Sequence, residues 1–257
     1  MTRIAVIGLG EAGSLYARGL QSAGARVRGY DPFVQATADI EQCDDPADAV
    51  DGADVVLSLV WARTALAAAE QVLPLLQPGA VYADLNTAAR EVKERVAGLG
   101  TTHRIAVADV AVLAPVPRAA ERTALLASGD GAARFAAALT PLGVPVELLA
   151  GPAGDAAERK LLRSVFMKGL AALVIESLEA ARGTGAEAWL REQMAREFGA
   201  GGAAKVDHLV SGTHRHIERR EQEVRDALAA LESGGRHSDL TRATLAWYQR
   251  ILAERSS

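Results

Sequence analysis

The chain has 257 residues, with 28 basic against 32 acidic side chains and a formal charge of −4. That length suits one large domain or two ordinary ones around a real core, and the mild charge without a dense basic patch points away from nucleic acid and toward a small-molecule partner. The single cysteine, Cys43, excludes an intrachain disulfide and a cysteine-based zinc site, and no apolar run reaches the roughly eighteen residues that span a bilayer.

The N-terminus enters an apolar strand directly, Ile4 to Ile7, without the basic segment and apolar stretch of a signal peptide, so cytoplasmic residence is expected. Gly8, Gly10 and Gly13 follow in the order GxGxxG, helical spacing starts at Glu11, and Gly24 closes the helix. In such a turn the first glycine permits the tight reversal, the second leaves room for a pyrophosphate, and the third lets the helix pack on the strand. Free backbone amides at the helix start are therefore expected to hold the phosphates of a dinucleotide, with Gly8, Leu9, Gly10, Glu11, Ala12 and Gly13 as cofactor-binding residues. A second strand, Val27 to Tyr30, ends at Asp31, where a carboxylate takes the adenosine ribose hydroxyls. Asp31 repels a 2′-phosphate, and Pro32 and Phe33 offer no arginine to hold one. NAD is thus favoured as cofactor, with NADP the alternative.

The polar stretch from Asp31 to Asp54 reads as a short helix and loop with room for a minor strand. Asp54 to Val60 is the next buried strand, followed by a helix that ends at Pro78 and Gly79. Ala80 to Ala83 forms another strand and runs into a helix that Asn86 or Thr87 caps and that Gly98 or Gly100 stops. Strands near Ile105 to Val110, Thr123 to Ser128 and Val144 to Leu149 complete the sheet, with a helix from Ala132 to Leu139 between the last two. This alternation predicts an α/β fold, a Rossmann-type doubly wound and mainly parallel sheet over residues 1–150. Ligands bind such sheets at their carboxyl edge, which would collect Gly8 to Gly13, Val60, Trp61, Asn86, Thr87 and Val112 to Val116. Trp61 either flanks the bound cofactor or packs under the next helix.

Beyond residue 150 the period becomes helical throughout. One long helix spans Asp155 to Arg182, and further helices, separated by Gly201-Gly202, Gly212 and Gly234-Gly235, form an all-helical domain over 151–257. Lys160, Ser164 and Lys168 stand at i, i+4 and i+8, along one face of the long helix. Their neighbours are mostly apolar, so the helix is expected to be largely buried, and a buried lysine needs a partner or a task such as proton transfer. His216, Arg219, Arg220 and Glu223 fall near one face of a later helix; they either reach an active site and bind an anion or form a salt-bridged surface. His214 and His216 cannot share a face, and no metal site is expected.

At these residues the chain resembles the β-hydroxyacid dehydrogenases, which include 6-phosphogluconate dehydrogenase. "IGLGEAGSLYARGLQSAG" is similar to their cofactor signature, "DLNTA" to the segment that reaches the nicotinamide, "DVAVLAPVP" to the substrate-carboxylate loop, and "GDAAERKLLRSVFMKGL" to the catalytic-helix motif. The similarity is closer to a phosphogluconate-dehydrogenase-like branch with its own helical C-terminal domain. The resemblance implies an NAD(P)-dependent oxidoreductase in which Lys160 is general base or acid, Val60 and Asn86 line the cofactor site, and Asn86, Ser164, Lys168, His216 and Arg220 contact substrate, Lys168 either binding an anionic group there or pairing with a glutamate. It also implies a homodimer formed through the helical domain. The chain departs from the family at Leu113, Ala114 and Pro115, where Ser-Gly-Gly is usual, and at Ser164, where asparagine is usual. An imine reductase and a non-catalytic dinucleotide-binding regulator are the alternatives.

Overall fold

The computed structural model describes residues 1–36 and 39–255, so part of the stretch between Asp31 and Asp54 and the last two residues lie outside the described residues. The chain forms two compact units, Met1–Lys160 and Leu161–Ser257, that divide inside the long helix.

Among the described residues the first unit is built on eight strands: β1 Arg3–Ile7, β2 Arg26–Tyr30, β3 Glu41–Gln42, β4 Val55–Ser58, β5 Val81–Asp84, β6 Ala106–Val112, β7 Leu125–Ser128 and β8 Val146–Leu148. Their order in the sheet is β3-β2-β1-β4-β5-β6-β7-β8. Along β1 the side chains alternate between two cores. Ile4 and Val6 join Tyr16, Leu20 and Phe135 on one face, whereas Ala5 and Ile7 join Val72, Tyr82 and Val96 on the other. A strand buried on both faces reads as a continuous apolar run, which is why these strands were legible as runs rather than as alternations. The helices that cover them are α1 Glu11–Ser22, α2 Pro46–Val50, α3 Ala65–Val72, α4 Arg90–His103 and α5 Ala132–Leu139.

The expected alternation holds, with one departure in direction. β7 pairs antiparallel with β6, and the other pairings are parallel. The chain between them, 113–124, contains two single 3₁₀ turns and no crossover helix, so it returns down the sheet from the edge where β6 ends.

Two expectations about helix ends are corrected. Neither Asn86 nor Thr87 caps α4, which starts after Ala89 without a side-chain cap. Nor does Gly98 or Gly100 stop it; the helix runs to His103 and ends at Arg104, in the left-handed region at φ 59°. Gly100 is there for packing, because a Cβ would sit 2.3 Å from Val107 Cγ2.

The second unit holds the rest of α6 Asp155–Arg182 with α7 Glu187–Glu197, α8 Gly202–Arg215, α9 Ile217–Ser233 and α10 Asp239–Arg255. Gly212 lies inside α8, and the break falls at His216 instead. Ala172, Ile175, Val224, Tyr248 and Ile251 form one core, and Val174, Leu178, Val206 and Leu209 another. The middle of α6 is less buried than its composition suggested, since Leu162, Phe166 and Leu173 are exposed. Among the described residues no helix is long and apolar enough to cross a membrane.

Phe135 is fully buried between α5 and the sheet. Phe135→Ala is expected to lower stability by about 3–5 kcal/mol, read as a lower midpoint in urea with an unchanged slope.

Candidate cofactor and proton-transfer site

β1 and β4 are neighbours in the sheet while the chain winds outward from them in opposite directions, so a crevice opens at their carboxyl ends. The turn from β1 into α1 stands at this point. Gly8 has φ +95°, and a Cβ on it would sit 2.5 Å from Leu59 O. A Cβ on Gly13 would sit 1.8 Å from Gly8 O, so α1 rests directly on the turn. At Gly10, by contrast, a Cβ would meet nothing within 4 Å. Gly10 is the N-cap of α1 and brings no side-chain cap, so the first helical amides are left to find an acceptor outside the helix. Beside them lies an open cleft of about 420 Å³, lined by Gly10, Glu11, Ser14, Arg18, Val34 and Pro117 together with Leu9 and Leu15. Donors at a helix N-terminus, an open approach at Gly10 and a crevice at the switch point fit a dinucleotide pyrophosphate.

Two backbone amides of the turn are committed elsewhere. Gly8 N donates to Tyr30 O at 2.8 Å, and Leu9 N donates to Asp31 Oδ2 at 2.8 Å. The amides at the start of α1, from Glu11, Ala12 and Gly13, are the ones the helix geometry leaves for an anion. Asp31 accepts further bonds at Oδ1 from Phe33 N at 2.8 Å and Val34 N at 3.0 Å. Its carboxylate is thus fixed at the end of β2, with lone pairs left over for a hydroxyl.

Asn86 differs from its expected role. The side chain is 4 % exposed, with Oδ1 accepting from Val60 N at 2.6 Å and Nδ2 donating to Ser58 Oγ at 3.0 Å and Asp84 Oδ1 at 2.6 Å. All its polar atoms face protein, so it works as a strut that ties the end of β4 to the end of β5. The next residue, Thr87, faces the long helix: Lys160 Nζ donates to Thr87 Oγ1 at 2.9 Å. Trp61 is not packed under α3; it is 73 % exposed, with the Arg63 guanidinium 5.5 Å from its ring centroid.

The first turn of α6 is bolted down on two sides. Outside, Arg90 contacts Asp155 at 2.8 Å and Glu158 at 2.6 Å, and these carboxylates with Glu94 raise the arginine's already high pKa. Inside, Asp109 Oδ2 accepts from Gly154 N at 2.9 Å and Ala157 N at 3.0 Å, while Ser128 Oγ accepts from Ala156 N at 3.0 Å. The sequence reading singled out none of Arg90, Asp109 or Ser128. A polar residue at the end of an apolar strand is the signal that marks Asp84 and Ser128, and a charged residue in the middle of one marks Asp109.

Leu113, Ala114 and Pro115 follow β6 in the loop 113–124, whose 3₁₀ turns pack on α1, with Glu121 against Gly19. The loop carries no serine or glycine at these positions.

In the second unit Lys168 Nζ lies 2.6 Å from Glu223 Oε2 and donates to Ser164 Oγ at 3.0 Å, so the lysine is paired with a glutamate. Arg219 reaches Glu223 Oε1 at 3.3 Å, and Arg220 Nη1 donates to Thr213 Oγ1 at 2.7 Å. These contacts make the helical cluster a set of internal pairs. His216 stands exposed at the start of α9. Among the described residues no group of histidine, cysteine and carboxylate side chains is arranged to hold a metal ion.

Comparison with known proteins matches residues 3–142 to the NAD binding domain of 6-phosphogluconate dehydrogenase and residues 181–251 to a domain of unknown function. A conserved hypothetical protein from Sinorhizobium meliloti is 33 % identical, with a TM-score of 0.80 over 97 % of this chain and 88 % of that one. The 3-hydroxyisobutyrate dehydrogenase of Mycobacterium tuberculosis has a TM-score of 0.84 at 22 % identity, over 98 % of this chain and 94 % of that one. A reductive aminase from Aspergillus terreus has a TM-score of 0.63 at 18 % identity, over 98 % and 94 % of the two chains. The last two likenesses are likenesses of fold.

Gly10→Ala is expected to change stability by less than about 1 kcal/mol and to weaken NADH binding about tenfold or more, about 1.4 kcal/mol, in a fluorescence titration. Gly13→Val, which drives a side chain into Gly8 O, is expected to lose fold and binding together.

Proposed function

The chain belongs to the family of the NAD-binding domain of 6-phosphogluconate dehydrogenase, and from that premise we propose that it is an NAD(P)-dependent dehydrogenase or reductase acting on a hydroxy acid or a related small alcohol or carbonyl compound. The observation that carries this reading is the Lys160 amine held 2.9 Å from Thr87 at the carboxyl edge of the sheet that bears the glycine turn. When bound, the nicotinamide cofactor supplies the hydride acceptor or donor.

Within this reading the amides at the start of α1 hold the pyrophosphate and Asp31 takes the ribose hydroxyls. NAD is the preferred form, because the carboxylate of Asp31 is fixed by three backbone amides where a 2′-phosphate would stand. Lys160 Nζ accepts the proton of the substrate hydroxyl as hydride leaves the same carbon, and in reverse it returns that proton to the carbonyl oxygen. Thr87 keeps the amine in place, and Asn86 sets the edge behind it by joining Val60 to Asp84. The absence of serine and glycine donors at Leu113, Ala114 and Pro115 favours a substrate less dependent on a carboxylate clamp than the family usually needs. An imine is the second candidate substrate, since a reductive aminase shares this fold. The exposed Leu162, Phe166 and Leu173 on α6 support a homodimer through the helical part, and the protein is proposed to work in the cytoplasm.

The test is absorbance at the reduced-nicotinamide band, with NAD and NADP each offered against 3-hydroxy acids, their phosphorylated analogues, simple alcohols and, in the reducing direction, ketones and imines. Turnover with an alcohol or carbonyl substrate is expected, and Lys160→Met should lower kcat by about 10²–10⁴-fold while NADH still binds. Turnover by that variant at the unmodified rate would contradict the proton-transfer role; reduction of imines alone would select the second candidate.

A further inference from the structure

Under the carboxyl edge lies a buried charge that the proposed chemistry does not use. Lys93, on α4, is 2 % exposed. Its Nζ donates to Asp84 O at 2.8 Å and stands 3.2 Å from Asp84 Oδ1 and 3.3 Å from Asp109 Oδ1. Both carboxylates are as deeply buried as the lysine, so one ammonium faces two acids. Asp84 Oδ2 and Asp109 Oδ1 accept no hydrogen bond in the structure. A buried carboxylate with unfilled acceptors needs a nearby cation, and the ammonium is the charge that holds this pair together.

Each acid has a second task. Asp84 Oδ1 accepts from Asn86 N at 3.0 Å and Nδ2 at 2.6 Å, and Asn86 in turn receives Val60 N. Asp109 Oδ2 receives Gly154 N and Ala157 N, which begin the helix that carries Lys160. We infer that Lys93 is the positioning residue of the site: its ammonium locks Asp84 and Asp109 into one unit, and through them it sets the Asn86 strut and the first turn of the Lys160 helix in fixed register. A ladder of this kind transmits position because each member accepts or donates in one arrangement only. An apolar side chain of similar length at residue 93 would fill the space and leave the two acids repelling each other, each free to turn from its amides.

This inference rests on the reading of the edge as a hydride-transfer site, but its first test does not. Hydrogen exchange of the cofactor-free protein is compared between the unmodified chain and Lys93→Met, read at the amides of Gly154, Ala157 and Val60. Exchange at these three is expected to quicken about tenfold or more, with the amides of β1 and β2 unchanged. NADH binding at the glycine turn should stay within about threefold of the unmodified value, a difference of at most about 0.65 kcal/mol. With a substrate from the panel, kcat should fall about 100-fold at nearly constant KM, as expected when reacting groups are misplaced rather than removed. Unchanged exchange at the three amides, or a rise spread evenly over the sheet, overturns the positioning role. Loss of NADH binding by the unmodified protein would instead overturn the functional reading and leave the exchange result standing. Should Lys93→Met not fold, the same measurements apply to the uncharged triple variant Lys93→Met with Asp84→Asn and Asp109→Asn. The inference expects quickened exchange at the same three amides there too, and exchange like that of the unmodified chain overturns it.

Discussion

The fold depends on a close approach that only glycine allows, the seating of α1 on the turn that leaves β1. With Gly8 at positive φ and Gly13 against the Gly8 carbonyl, the helix meets the strand without a spacer of side chains. That contact aims the start of α1 at the crevice between β1 and β4. Tyr16, Ala17 and Leu20 then fall onto the core formed by Ile4 and Val6. The cleft beside Gly10 follows from the same geometry, since the residue that starts the helix is the one with open space above it.

Beneath that edge the sheet does something unusual for a hydrophobic interior: it buries Asp84, Lys93, Asp109, Asn86, Ser58 and Ser128 in a connected layer. A buried ion pair is weak evidence for stability, because an apolar replacement of similar shape is often as stable or more so. What such a layer supplies is a single arrangement. Here it joins β4, β5, β6 and the first turn of α6, while Arg90 grips that turn from outside. Lys160 stands one turn farther along, so the position of its amine is inherited from these contacts.

Much of this was readable from the residues, for reasons that differ by element. The buried strands announce themselves as apolar runs, and the bounds Asp155 and Arg182 of the long helix are readable because glycines flank an uninterrupted helical period. Glycine misled where its job was packing. Gly100 lies against Val107, and Gly212 near His208 and Arg220, both inside continuing helices. The direction of β7 was hidden because it depends on the lack of a crossover helix in 113–124. Lys93 was missed although it shares a face with Val96 and Gly100, a lysine in the buried stripe of α4. Asn86 was found at its place on the edge but not as a strut, and the pairing of Lys168 with a glutamate was foreseen without identifying Glu223, because partners across elements leave no trace in local spacing.

Whether this glycine turn and Asp31 hold a nicotinamide dinucleotide is decided by calorimetric titration of the unmodified protein with NADH and with NADPH. One site per chain for NADH and weaker binding of NADPH are expected, in keeping with the fixed carboxylate at the end of β2. Heats no larger than dilution for both dinucleotides would contradict that binding.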